Sequence, residues 1–193
     1  MISPISSVLT GSKRRWSYEP AMPRHTGPVF VDTNVILECW RVGAWRALAS
    51  GYTVETVEDC VTETQTGFQR RRNEERIDGA ALRQSLVQVH EVTSAHLAAS
   101  IVRNENISFL DLGERHLWAH ALTRTDAWVL CGPDRASIRF GIRLGFRDRL
   151  MALEGLLSDV GHRPREALRP AYTARWLDAA LAELSLLEGG RRR

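Results

Sequence analysis

The chain of 193 residues has a single lysine, Lys13; every other one of its 26 Lys and Arg positions is arginine. That absence leaves no lysine in the body of the chain to neutralise a phosphate. The cationic surface is instead made of guanidinium forks, which engage phosphate in a bidentate way. Cysteine is also scarce. Cys39, Cys60 and Cys131 are far apart, odd in number and without a C-x-x-C pair, which argues against a disulfide framework and a zinc site and for a reducing compartment. No apolar run approaches the length needed to span a bilayer. Residues 1–10 lack the basic segment and apolar core of a secretion signal. A cytoplasmic protein with no membrane partner is the expectation.

What remains is ordinary for a globular protein: 44% hydrophobic residues, 25% charged and a net charge of +3, enough for one core in one main domain. Residues 1–27 are rich in Ser, Pro, Gly and Arg without apolar periodicity and read as an N-terminal arm. From Pro28 onward, short apolar strands alternate with helical patterns. Val29-Phe30-Val31 reads as a buried strand. Val35 to Ala49 has helical spacing, with Gly51 as a stop. Residues 52–57 read as a strand and 58–69 as a helix. Residues 80–86 read as a helix, 87–90 as a strand and 94–102 as a helix. Asp111 opens another helix through Leu122, residues 128–131 form a strand, and 135–144 a helix stopped by Gly145. Such alternation predicts an α/β fold with a parallel sheet. Residues 28–147 form the domain in this reading. Residues 148–193 lack strand-like segments and read as a C-terminal helical extension that completes the core or offers a partner surface.

Four acids stand out by position. Asp32 closes the first strand, and Asp134 follows the strand 128–131 in the same way. Glu63 lies on the helix after the second strand, and Glu114 lies in the first turn of its helix, where the dipole favours an anion. In open α/β sheets the carboxyl ends of the strands form the ligand crevice. Four carboxylates there raise one another's pKa and call for a cation. An all-oxygen donor set suits Mg²⁺ or Mn²⁺, which generate hydroxide and stabilise a phosphoryl transition state. The set has no histidine at ligand spacing, which argues against a zinc hydrolase. His116 and His120 share a helix face without an evident third ligand and read as surface or partner residues. Taken singly, each acid is more simply a turn, cap or solvated helix residue than a catalyst, and only the joint arrangement favours chemistry.

The four blocks that carry these acids, in order, resemble the PIN-domain ribonucleases. Val31-Asp32-Thr33-Asn34 is similar to the opening motif. Val57 to Gly67, with Val61 and Glu63, is similar to the second block. Leu110-Asp111-Leu112-Gly113-Glu114 with Ala119-His120-Ala121-Leu122 resembles the Gly-Glu form of the third. Trp128 to Ala136, ending Gly132-Pro133-Asp134-Arg135-Ala136, resembles the fourth. Cys131-Gly132-Pro133 departs from the Thr or Asp residues of many members. The resemblance covers roughly 28–146 and implies a Rossmann-like three-layer α/β/α fold. It implies a Mg²⁺- or Mn²⁺-dependent endoribonuclease with Asp32, Glu63, Glu114 and Asp134 as catalytic metal ligands. Thr33, Asn34 and Asp111 would support them. Small bacterial members are often toxins held by an antitoxin protein, and homodimers are common, so both partners stand as expectations.

RNA cleavage also needs cations along the strand. Arg70, Arg71 and Arg72, after the Glu63 helix, and Arg135 and Arg139, after Asp134, are the candidates. A solvated face at a helix end accounts for them equally well. Trp40, Trp45, Trp118, Trp128 and Trp176 lie in apolar patterns and read as core. Two other functions compete with this one. A haloacid dehalogenase-like phosphatase needs a second acid two residues after the first, where this chain has Asn34, and a lysine that only the arm supplies. A PIN-like scaffold that binds RNA or protein without cleaving it keeps the fold and loses only the site geometry.

Overall fold

The computed structural model describes residues 24–66 and 77–190. Five strands form one sheet: β1 (Pro28–Val31), β2 (Thr53–Val57), β3 (Gln88–His90), β4 (Val129–Cys131) and β5 (Leu150–Met151). Nine helices lie among the described residues. They are α1 (Thr33–Arg41), α2 (Trp45–Gly51), α3 (Glu58–Gln65), α4 (Gly79–Ser85), α5 (Ser94–Arg103), α6 (Leu112–Ala121), α7 (Arg135–Arg143), α8 (Leu153–Asp159) and α9 (Ala174–Gly190). None is long and apolar enough to cross a membrane.

Every strand pair is parallel, and the order is β3-β2-β1-β4-β5. The chain therefore winds outward from β1 in one direction, returns, and continues from β4 in the other. At such a reversal two neighbouring strand ends send their chains to opposite sides and leave a crevice between them. Here the reversal lies between β1 and β4, where Val29 to Val31 stand beside Val129 to Cys131.

Strand alternation divides the core into two layers. Val29, Val31, Val54, Val129 and Cys131 face one side and pack with residues of α1, α2, α4 and α8. Phe30, Val57 and Leu130 face the other and pack with residues of α3, α6, α7 and α9. The sheet is thus covered on both faces, as a three-layer α/β/α fold requires, and the α/β expectation is borne out. Phe30 is fully buried, a contribution of roughly 2–3 kcal/mol for one aromatic side chain.

Two local expectations change. The helical pattern 35–49 is two helices, because the chain turns at Gly43 with φ of 67°. A left-handed residue of this kind ends α1 at no steric cost. The segment after 148 is not purely helical either. Leu150 and Met151 pair with Leu130 and Cys131 as the fifth strand, too short for strand periodicity to register. Leu153, Leu156 and Leu157 then enter the first core layer, and Leu177, Ala180, Leu181 and Leu184 the second. This segment completes the core of the sheet domain. Of the N-terminal arm, residues 1–23 lie outside the described residues; Arg24 lies over the Tyr52 ring at 4.6 Å from its centroid. Trp45, Trp118 and Trp128 are buried, and Trp40 and Trp176 pack partly buried against the core.

Candidate functional site

The carboxyl ends of β1, β2 and β4 feed directly into α1, α3 and α7, so the acids that follow the strands sit at the topological crevice. Asp32 adopts an extended backbone and caps α1, its Oδ1 accepting the Val35 N–H at 2.7 Å. It is 3% exposed. The end of β4 closes over it: a Cβ built on Gly132 would lie 3.3 Å from Asp32 Oδ2. Asp134 caps α7, accepting from Ala136 N–H at 2.6 Å and Ser137 N–H at 3.0 Å. Both aspartates are therefore helix caps as well as crevice acids; the two readings describe one geometry, because a cap uses a single carboxylate oxygen.

Glu63 reaches back from α3. Thr33 Oγ1 donates to its Oε2 at 2.6 Å, and Gly113 N–H donates to its Oε1 at 3.1 Å. The first turn of α6, whose backbone donors lack intrahelical partners, thereby binds the carboxylate of another helix. Glu114 follows in that turn and is buried. Asp111 precedes the helix, exposed, and makes no capping bond.

Charge and burial act together on these acids. Burial pushes the Asp32 carboxyl up to about 7, against the hydrogen bonds from Val35 N–H and the Asn34 side chain that favour its anion; Asp134 and Glu63 add to the rise. Burial likewise pushes Glu114 up to about 8, with Asp134, Asp32, Asp111 and Glu63 all contributing. Each of the other four acids adds to the rise at Glu114.

The arginine candidates fare differently. Arg70, Arg71 and Arg72 lie outside the described residues. Arg135 is exposed and pairs with Glu183 of α9 at 2.6 Å. Arg139 pairs with Glu188, which also takes Arg143 at 2.8 Å. Two guanidinium groups hold the Glu188 carboxyl down to about 2. Arg139 thus fastens α9 to α7, a structural task that sequence spacing does not reveal.

A second cluster lies further along α6. Glu55 of β2, His90 of β3 and His120 of α6 bring one donor atom each within 4.8 Å of one another. His90 Nε2 lies 2.6 Å from Glu55 Oε2, and the His90 and His120 rings stack at 3.7 Å. In the sequence His120 has no evident partners, because they come from strands far away in the chain. Glu55 is the available signal: an acid in the middle of a buried strand needs a partner. His116, by contrast, pairs with Asp59.

No family model, curated protein or solved structure matches the chain.

Proposed function

We propose that the chain is a divalent-metal-dependent endoribonuclease of the PIN type, which cuts RNA at the crevice between β1 and β4. The observation that supports it most is the pair of strand-terminal aspartates at that crevice, Asp32 buried against the end of β4 at Gly132 and Asp134 opening α7, with Glu63 and Glu114 adding to their charge coupling. The donor set fits a hard cation. It is all carboxylate, without thiol or imidazole, and two of its members are held protonation-prone by burial and by their neighbours' charge. A divalent ion reverses that penalty. Asp32, Glu63, Glu114 and Asp134 would hold Mg²⁺ or Mn²⁺. Such an ion, when bound, lowers the pKa of water and offsets charge on the scissile phosphate.

The remaining residues orient this set. Thr33 and Gly113 fix both oxygens of Glu63. Val35 N–H and the Asn34 side chain stabilise the anionic form of Asp32. Asp111, exposed beside Glu114, supplies a further acid at the rim. Arg135 is the arginine suited to a substrate phosphate, because its partner Glu183 is itself exposed and such a pair holds weakly. A cytoplasmic setting belongs to the proposal and agrees with three free, buried thiols.

The test is cleavage of end-labelled RNA by purified protein with Mn²⁺ or Mg²⁺, against Asp32→Asn and Asp134→Asn. Metal-dependent cutting by the wild type, lost in both variants, is expected. RNA bound but left intact by the wild type would leave the binding-scaffold reading in its place. The toxin role is a finer form of the proposal: expression should arrest growth, Asp134→Asn should relieve the arrest, and a small neighbouring gene should encode an inhibitor that binds the chain. Sedimentation reports whether the chain forms the expected homodimer.

A further inference from the structure

The acids of the crevice do not use the other end of α6. Its N-terminal turn carries Glu114; its last turn carries His120, on the side that faces β2 and β3. Glu55 and His90 come from those two strands, two positions apart in their pairing and so on one face of the sheet: Glu55 stands beside Gln88, and His90 beside Val57. The Glu55 and His90 side chains are only 7% and 11% exposed. The His120 ring meets the edge of Phe30 at 5.3 Å, and its Nε2 is buried without a hydrogen-bond partner. An imidazole nitrogen out of water and without a partner costs free energy, so something other than the protein's own donors suits this place.

We propose that Glu55, His90 and His120 form a second cation site, for a borderline transition metal of the Zn²⁺ class, which pins the end of α6 to β2 and β3. Two imidazoles and one carboxylate, each with one donor atom within 4.8 Å of the others, match the ligand type and number of a three-residue zinc set. The same donors disfavour Mg²⁺, which takes carboxylate and water oxygens and is supplied with them in the crevice. Arg124 donates to Glu55 Oε2 at 3.2 Å. It also holds Asp126 at 3.1 Å and 2.5 Å, so its charge stays balanced when Glu55 turns to a cation. A carboxylate has lone pairs enough to serve both, and a hydrogen bond to a ligating carboxylate is the usual outer support of a metal.

The site owes nothing to the nuclease reading, and its test is separate from catalysis. Untagged full-length protein, held in excess Mg²⁺ to occupy the crevice, is titrated with Zn²⁺ by calorimetry and followed by thermal melting and zinc X-ray absorption. One Zn²⁺ per chain is expected, with imidazole scattering in the absorption spectrum and a raised melting temperature. The double variant His90→Ala, His120→Ala should lose that equivalent and the melting shift, while Asp32→Asn keeps both. If the double variant does not fold, the near-isosteric Glu55→Gln and His120→Gln singly carry the test. The proposal is overturned if the wild type takes up no Zn²⁺ under excess Mg²⁺. It is equally overturned if the histidine variants keep the equivalent, if Asp32→Asn loses it, or if the bound zinc shows oxygen ligands alone.

Discussion

Gly113 donates its N–H to Glu63 Oε1 at 3.1 Å, and a Cβ at position 113 would lie 2.9 Å from Glu63 Oε2. Only a residue without a side chain lets α6 approach the carboxylate this closely. The same Cβ would stand 3.1 Å from Cys60 Sγ. Gly113→Ala should therefore displace Glu63 from both Gly113 and Thr33. Glu63 is a flexible side chain at the crevice rim, so the fold survives, and alanine is the better helix former. Metal-dependent RNA cleavage should fall by about tenfold or more, with a melting temperature close to that of the wild type. About 1 Å of misplacement in a catalytic group suffices for a loss on that order. An inactive protein that also melts much earlier would assign Gly113 to packing alone.

The crevice acids make an unusual pH dependence. Asp32 and Glu114 have folded-state values raised to about 7 and about 8. Raised carboxylates bind protons more tightly in the native state. Their stabilising contribution is complete below the unfolded value, near 4, and is lost as pH rises through the folded value. His120 works in the opposite sense. Burial, then His90 and Arg124, lower it to about 4, so its contribution is present above the unfolded value near 6.5 and lost as pH falls towards 4. Glu38, Glu58, Asp126 and Glu188, all lowered, also act only in acid. Between about pH 6.5 and 8, then, the crevice dominates. In EDTA the melting temperature should fall across that window. Asp32→Asn with Glu114→Gln should flatten the slope, and Mn²⁺ should raise the melting temperature more at pH 8 than at 6.5. A slope unchanged in the double variant would contradict the shared crevice.

Much of this was legible in the chain because it depends on strand ends. Short apolar runs at 29–31 and 128–131 located β1 and β4, and the acids just after them followed the polypeptide into the crevice. Glu63 and Glu114 were legible as helix acids, but not the way Gly113 binds Glu63, since a backbone donor leaves no trace in residue type. Leu150-Met151 was illegible as a strand because two residues carry no period. Arg139 had the spacing of a substrate contact, yet Glu188, 49 positions later in the chain, claims it. Glu55, His90 and His120 meet across two strands and a helix, and no local pattern joins them.

Glu38 is an internal anchor that can be tested without substrate. Its side chain is fully buried, and it accepts Arg41 Nε at 2.8 Å, Arg41 Nη2 at 2.6 Å and the Arg169 N–H at 2.7 Å. Burial pushes its carboxyl up, but Arg41 and Arg169 outweigh that and hold it below the ordinary range. The contacts tie α1, which begins the crevice, to the chain before Tyr172, whose hydroxyl donates to the Asn34 carbonyl at 3.2 Å. Glu38→Gln keeps the shape and removes the charge. It should destabilise the protein by about 2 kcal/mol, the scale of one charge-assisted hydrogen bond, measured by urea unfolding. A change under about 0.5 kcal/mol, the scale of a surface substitution, would show that Arg41 and Arg169 hold without it.

Arg135 and Arg139 both face α9, yet they should answer differently to removal. Arg135 and Glu183 have side chains 45% and 58% exposed, a pair whose loss costs less than about 1 kcal/mol. If the strand passes over the start of α7 to reach the acids, Arg135 exchanges Glu183 for a phosphate. Arg135→Gln should then leave the melting temperature in place and weaken binding of single-stranded RNA. The slope of log affinity against log salt should become shallower by roughly 0.7, one phosphate contact. Arg139 shares Glu188 with Arg143, and Glu188 is only 12% exposed. Removing one of two cations from that carboxylate loosens α9 over Leu177, Ala180, Leu181 and Leu184, which complete the second core layer. Arg139→Gln should therefore lower the melting temperature and leave the salt slope unchanged. The measurement is fluorescence anisotropy of labelled RNA in Asp32→Asn background, where the strand stays intact, over a salt series. A salt slope that moves with Arg139 and not with Arg135 would place the strand on the side of α7 that α9 covers, and the exposed pair would then be a surface contact without a role in binding.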